Sequence, residues 1–199
     1  MAVSETDIVN AALRLIGAGR ITSLTEGSKN ANVANDLYEI TRDDLLRSHN
    51  WNFATKRTTL ARSSTAPASE FAYGYVLPAN WIRTVSVHDN DAGVGTVAHR
   101  TEELADAGVI LSNAETLYLR YIYRATDPNR LSADFVSALE IALARDLAPG
   151  VANASAARVD QLERRAQQVL ARAKSVDAQG SMPEMRPVGS WVSSRGAWR

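Results

Sequence analysis

Apolar residues recur at helical spacing in four stretches of this chain, and between the second and third the period drops to two. The first helix is expected to start at Ser4 or Thr6, where a hydroxyl can accept from free first-turn amides and Glu5 and Asp7 suit the positive end of the dipole. Ile8, Ala12, Leu15 and Ile16 form its apolar stripe, and Gly17 and Gly19 end it. A second helix runs from Ser28 or Asn30 to His49, with Val33, Leu37, Ile40 and Leu45 inward, Ala34 and Leu46 beside them, and Glu39, Arg42 and Asp43 outward. Trp51 and Phe53 follow at once and are expected to fold back over the helix end.

From Lys56 onward, short Thr-, Val-, Ile- and Tyr-rich runs alternate with Gly, Pro, Asn and Asp. Strands are expected at 58–61, 71–77, 82–88, 94–99, 109–111 and 115–124. Their connections are too short for crossover helices, so the pairing should be antiparallel. Helices then return. Ser132 caps one carrying Phe135, Val136, Leu139, Leu143 and Leu147, ended by Pro149-Gly150. The last spans about 155–177, with Val159, Leu162, Ala166, Val169, Leu170 and Ala173 on one side. The expected class is α+β, a four-helix bundle with an inserted antiparallel β subdomain and an extended C-terminal tail. Its parts are the first half of the bundle (1–55), the β subdomain (56–125), the second half (126–178) and the tail (179–199).

Composition removes several functions. With 199 residues and 45% hydrophobic side chains, the chain can build a core. It has no cysteine, which excludes a disulfide framework, a thiolate nucleophile and a Cys-based zinc site. Its 22 basic and 22 acidic side chains cancel, so no large basic surface drives nucleic-acid binding, although a local patch is compatible with this balance. No apolar run has the length of a membrane span, and the acidic start lacks the pattern of a secretory signal, so a soluble protein is expected.

Candidate chemistry is sparse. His49, His88 and His99 have no second histidine at i+3 or i+4, and His88-Asp89-Asn90-Asp91 reads as a turn rather than a calcium loop. Gly17-Ala18-Gly19 follows a helix, the reverse of a dinucleotide loop, and reads as a cap. Glu102/Glu103 and Asp43/Asp44 are adjacent acids of the kind that sit on solvated faces. No catalytic, cofactor-binding or metal-binding residue is assigned. Three small basic groups remain: Lys56-Arg57 with Arg62, Arg120 with Arg124, and Arg164-Arg165 with Arg172 and Lys174. The tail carries Arg186, Arg195 and Arg199 against Glu184 alone, together with Trp191 and Trp198. Trp and Arg are the residue types most enriched at binding hot spots, so Arg186, Trp191, Arg195, Trp198 and Arg199 are the expected partner-binding residues.

Three stretches together resemble a known family. They are Ile21-Thr22-Ser23-Leu24 with His49-Asn50-Trp51-Asn52-Phe53-Ala54-Thr55-Lys56-Arg57 and Leu60; Phe71-Ala72-Tyr73-Gly74-Tyr75-Val76-Leu77-Pro78-Ala79-Asn80 with Arg83; and Tyr121-Ile122 through Thr126-Asp127 with Phe135, Ala138-Leu139, Leu143-Ala144 and Leu147-Ala148. The family is the head-to-tail connector, or adaptor, proteins of tailed bacteriophages, also called tail tubular protein A. Asn50 stands where members often have proline, and Trp81 where a smaller residue is usual. The resemblance implies a non-enzymatic structural virion protein without cofactors. It implies a dodecameric homo-oligomeric ring at the head-tail junction, assembled in the host bacterial cytoplasm. That ring would bind the portal protein above and a downstream tail or nozzle protein below, with double-stranded DNA passing through its lumen. The competing expectation is a non-enzymatic nucleic-acid-binding accessory protein of a phage.

Overall fold

The computed structural model describes residues 3–180. In chain order the elements are α1 (Glu5–Leu15), α2 (Lys29–Arg47), β1 (Thr55–Thr59), β2 (Tyr73–Val76), β3 (Trp81–His88), β4 (His99–Leu104), β5 (Ala107–Ser112), β6 (Tyr118–Tyr123), α3 (Ala133–Ala152) and α4 (Ala156–Gln179). Ser4, Ser28, Ser132 and Ser155 cap the four helices, each hydroxyl accepting from a first-turn amide. At α1 the cap is reciprocal: Asp7 Oδ2 accepts from the Ser4 amide at 3.1 Å.

The expected four-helix bundle does not form. The described residues make an α+β arrangement of four helices and two three-stranded antiparallel sheets, in the orders β1-β6-β3 and β2-β5-β4. The reason lies in α3. It buries Phe135, Ala138, Leu139, Ile141, Ala142, Leu143, Ala144, Leu147 and Ala148, which is most of its circumference. It therefore packs against α1, α2 and α4 at once, and no comparable packing joins those three to one another. Helix α4 buries only Leu162, Ala166 and Ala173, a stripe wide enough for a single neighbour.

Three further expectations are corrected. Helix α3 does not stop at Pro149-Gly150 but runs to Ala152. It closes on Asn153 in the left-handed region (φ 47°), with the Ala154 amide bonded back to Ala148 O at 3.1 Å. Helix α2 is rotated from its expected face: Ile40 is 60% exposed, whereas Arg42 is 1% exposed. Tyr38 and Thr41 are turned inward with Arg42. The Arg42 guanidinium is held by Asp43 (Nε to Oδ1 3.0 Å), whose other oxygen takes Arg124 at 2.7 Å. A charge this deep is tolerable only with its counter-ion beside it.

The fourth strand is not at 94–99 but at His99–Leu104, an exposed, polar edge that takes its register from the buried β5. Val94 instead lies 71% exposed in a loop between Gly93 and Gly95, both at positive φ. The β4–β5 turn is two residues, Ala105 (φ 50°) and Asp106 (φ 60°), and alanine is strained there. Replacing the pair with Asn-Gly should stabilise the protein by about 1 kcal/mol, checked by urea unfolding at unchanged slope.

The chain leaving β1 links the two sheets. Leu60 N donates to Leu117 O at 2.9 Å, and Arg62 then bridges to Tyr75 of β2. Among the described residues no helix is long and apolar enough to cross a membrane.

Candidate functional site

The junction between α2 and β1 is built around Trp51. Its indole is fully buried, its Nε1–H donates to Leu45 O at 2.8 Å, and its ring meets Phe135 edge-on at 5.0 Å. Anchoring the indole inward turns the flanking asparagines to the surface, where each ties down a different element. The Asn52 amide donates to both carboxylate oxygens of Asp177 (3.2 and 3.1 Å), and its side chain donates to Asp177 O at 2.6 Å. Asn50 Oδ1 accepts from the Arg83 guanidinium on β3. His49 adds its ring, with Nε2 3.4 Å from Asp177 Oδ2. The junction thus clamps the last turn of α4 to the edge of the first sheet.

Burial lowers the His49 pKa from its ordinary 6.5, outweighing the upward pull of Asp177. The unfolded chain therefore takes up a proton before the folded one does. The His49 contribution is complete above about pH 6.5 and declines as the pH falls below it. The unfolding midpoint should drop between about pH 7.5 and about pH 5.5, and His49→Gln should reduce that drop. An NMR titration placing His49 at or above 6.5 would contradict this.

Beside the clamp, the β1-β6-β3 register gathers positive charge. Arg57 stands opposite Arg120, which stands opposite Ser86; one pair further along, Thr55 stands opposite Ile122, which stands opposite Arg83. Directly paired residues share a face, so two of the sequence's basic groups, Lys56-Arg57 and Arg120-Arg124, converge here and gain Arg83. The remaining members are engaged elsewhere. Lys56 Nζ lies 3.9 Å from the Tyr123 ring centroid, Arg62 stacks on Tyr73 at 3.9 Å, and Arg124 pairs with Asp43.

Two members of the third basic group, Arg165 and Arg172, line a groove of about 350 Å³ between α1, α3 and α4 together with Arg14, Asp134, Ser137 and Glu140; Arg164 and Lys174 do not line it. Burial raises the Glu140 pKa against the opposing pull of Arg14. The groove mixes both signs.

The other sequence candidates have structural places. His88 Nδ1 lies 2.8 Å from Gly95 O, and Asn90 Nδ2 donates to Val94 O at 2.8 Å, so His88–Asp91 organises a turn. Among the described residues no group of three His, Asp or Glu side chains could hold a metal. Gly17 ends α1 at φ 72°, with the Ala18 amide returning to Leu13 O. Glu102 and Glu103 are exposed on β4. Arg186, Trp191, Arg195, Trp198 and Arg199 lie outside the described residues.

Sequence reading noted Arg83 within the resembling stretch but not its place beside Arg57 and Arg120, and it missed the Asn52–Asp177 clamp. The signal available was Asn-Trp-Asn: polar residues on both sides of a large aromatic directly after a helix mark a corner with outward donors. No family model matches the chain, and no curated protein does either.

Proposed function

We propose that this chain is a structural protein of a tailed-phage virion, forming the adaptor ring between the portal and the next tail component, with DNA passing through the ring. The observation that carries the reading is the stretch from His49 to Arg57, which resembles the adaptor family and occupies a structurally demanding place. Its tryptophan sits in the core where α2, α3 and β1 meet, and its asparagines clamp α4 and β3. A subunit that must hold its helices and sheets rigid within a closed assembly has use for such a corner. The C-terminal segment supplies the contact to the portal through Trp191 and Trp198, and many copies acting together raise each other's effective concentration.

Electron microscopy of the purified chain mixed with its portal tests the reading, with a ring of density capping the portal expected. The chain shortened to residue 180 should remain folded by circular dichroism and fail to join the portal in native mass spectrometry. An intact complex of the shortened chain would remove the segment's role. Absence of the protein from purified virions would remove the whole reading.

A further inference from the structure

The β2-β5-β4 sheet has one closed edge and one open edge. At β2 the chain leaving β1 continues the ladder, with Ser63 N donating to Gly74 O at 2.7 Å and Val76 N to Ala61 O at 2.9 Å. At β4, among the described residues, β5 is the one pairing strand. That pairing is regular from His99 to Leu104, without a bulge, and His99–Glu103 are all exposed. Edge strands are commonly blunted by lysine, proline or a bulge, and this one has none of them. The pair flanking a two-residue hairpin turn is hydrogen-bonded, so Leu104, Glu102 and Arg100 direct their amides and carbonyls to β5. Ala98 O, next in that alternation, accepts from Ser112 Oγ of β5 at 3.1 Å. The amides and carbonyls of His99, Thr101 and Glu103 therefore point to the open edge.

The order His99-Arg100-Thr101-Glu102-Glu103 is complementary to its own reverse. Two copies that pair edge to edge in antiparallel fashion are related by a two-fold axis perpendicular to the sheet. Opposed residues must then share a face, so the axis passes through a residue and not between two. With the axis at Thr101, Arg100 stands opposite Glu102 of the second copy and His99 opposite its Glu103, each contact occurring twice by symmetry. Moving the axis by one residue sets Arg100 against itself or Glu102 against itself, which like charges disfavour. One register thus combines the complementary charges with the outward ladder groups. Arg100 already meets Glu70 at 3.2 Å in an exposed pair, and the five donors of a guanidinium accommodate a second carboxylate. His99 Nδ1 is engaged with Val97 O at 2.8 Å, which leaves Nε2 for the second copy.

We propose that β4 is a self-association edge: two copies of this chain pair β4 to β4, antiparallel and centred on Thr101, joining their β2-β5-β4 sheets into one continuous sheet. Ladder hydrogen bonds supply the attraction, and the Arg100–Glu102 pairs fix the register. A single strand buries little surface, which places the contact among small, transient interfaces with a dissociation constant on the order of 10–100 μM. The contact is isologous and closes at two copies, so it cannot by itself build a ring. It concerns the chain before assembly, and it and the adaptor reading stand or fall separately.

The test is sedimentation of the full chain over a concentration series, in which a monomer–dimer equilibrium is expected. A monomer up to about 300 μM would overturn the proposal. Arg100→Glu should weaken association by about tenfold, and adding Glu102→Arg should restore it, because the pair then forms with its signs exchanged. Association that neither change moves would overturn the pairing. Because the chain has no cysteine, a single Thr101→Cys can cross-link only to another copy. Directly opposed strand residues lie within disulfide reach, so under a copper–phenanthroline oxidant Thr101→Cys should cross-link at least about tenfold faster than Ser64→Cys, at another exposed position. Equal rates would overturn the register. Amide protection at His99, Thr101 and Glu103 should grow with protein concentration. Protection independent of concentration would assign the edge to another segment of the same chain and overturn the proposal.

Discussion

Trp51→Ala should lower stability by about 3–5 kcal/mol, the range for deleting a large buried aromatic. The indole contacts Phe53 and His49 as well as Phe135, and its removal opens a cavity where α2, β1 and α3 meet. The lost Nε1–H bond also leaves Leu45 O without that donor. At this chain length each kcal/mol shifts the melting temperature by about 2–4 °C, so a fall of roughly 6–20 °C is expected. Trp51→Phe keeps the ring contacts and loses the donor, and should fall well short of that. A melting temperature for Trp51→Ala within experimental error of the parent would show that the junction is not a keystone.

The second large effect is an asymmetry within one ion cluster. Asp43→Ala removes the counter-ion from a guanidinium that is 1% exposed and, among the described residues, leaves it the acid Glu39, 3.7 Å away and 74% exposed. Stranding a buried charge in this way costs about 3–5 kcal/mol. Arg42→Met removes the buried charge instead, fills similar volume and leaves Asp43 paired with Arg124, so its effect should be within about 1 kcal/mol. Urea unfolding of both variants decides the matter: equal losses would mean that Arg42 contributes packing rather than a charge in need of a partner. Tyr38 belongs to the same layer, where burial pushes its hydroxyl up to about 12, so the phenol stays neutral beside Arg42 at physiological pH.

What could be read beforehand divides by the range of the forces involved. Helix starts were legible because a capping serine acts within three residues, and all four are serines. Strand β6 was legible because an alternating run of Leu, Tyr and Ile needs no partner to declare itself. Strand β4 was not, since His-Arg-Thr-Glu-Glu-Leu becomes a strand only through the ladder that β5 offers. The rotation of α2 was hidden for a related reason. Its aliphatic stripe contains Ile40, but the inward face is decided by Tyr38 and Arg42, and the Arg42 counter-ion, Asp43, is itself held by Arg124 from outside the helix. The bundle expectation failed because one helix, α3, is apolar enough to serve three neighbours, and counting helices does not reveal this. At the candidate site, the arginine residues were visible singly. Their convergence depends on register, which pairs Arg57 with Arg120 across 63 positions of sequence.

The central placement of α3 has a consequence for how the protein comes off the ribosome. Helices α1 and α2 are complete by Arg47, yet the surface that covers their apolar sides begins only at Ala133. At typical elongation speeds of about 5–20 residues per second, the amino-terminal pair waits roughly 5–20 seconds for its partner. During that interval Ile8, Leu13, Leu45 and Leu46 have no shelter of their own making. Nascent chains stalled before residue 133 should therefore recruit trigger-type chaperones, and those stalled well beyond Ala152 should release them.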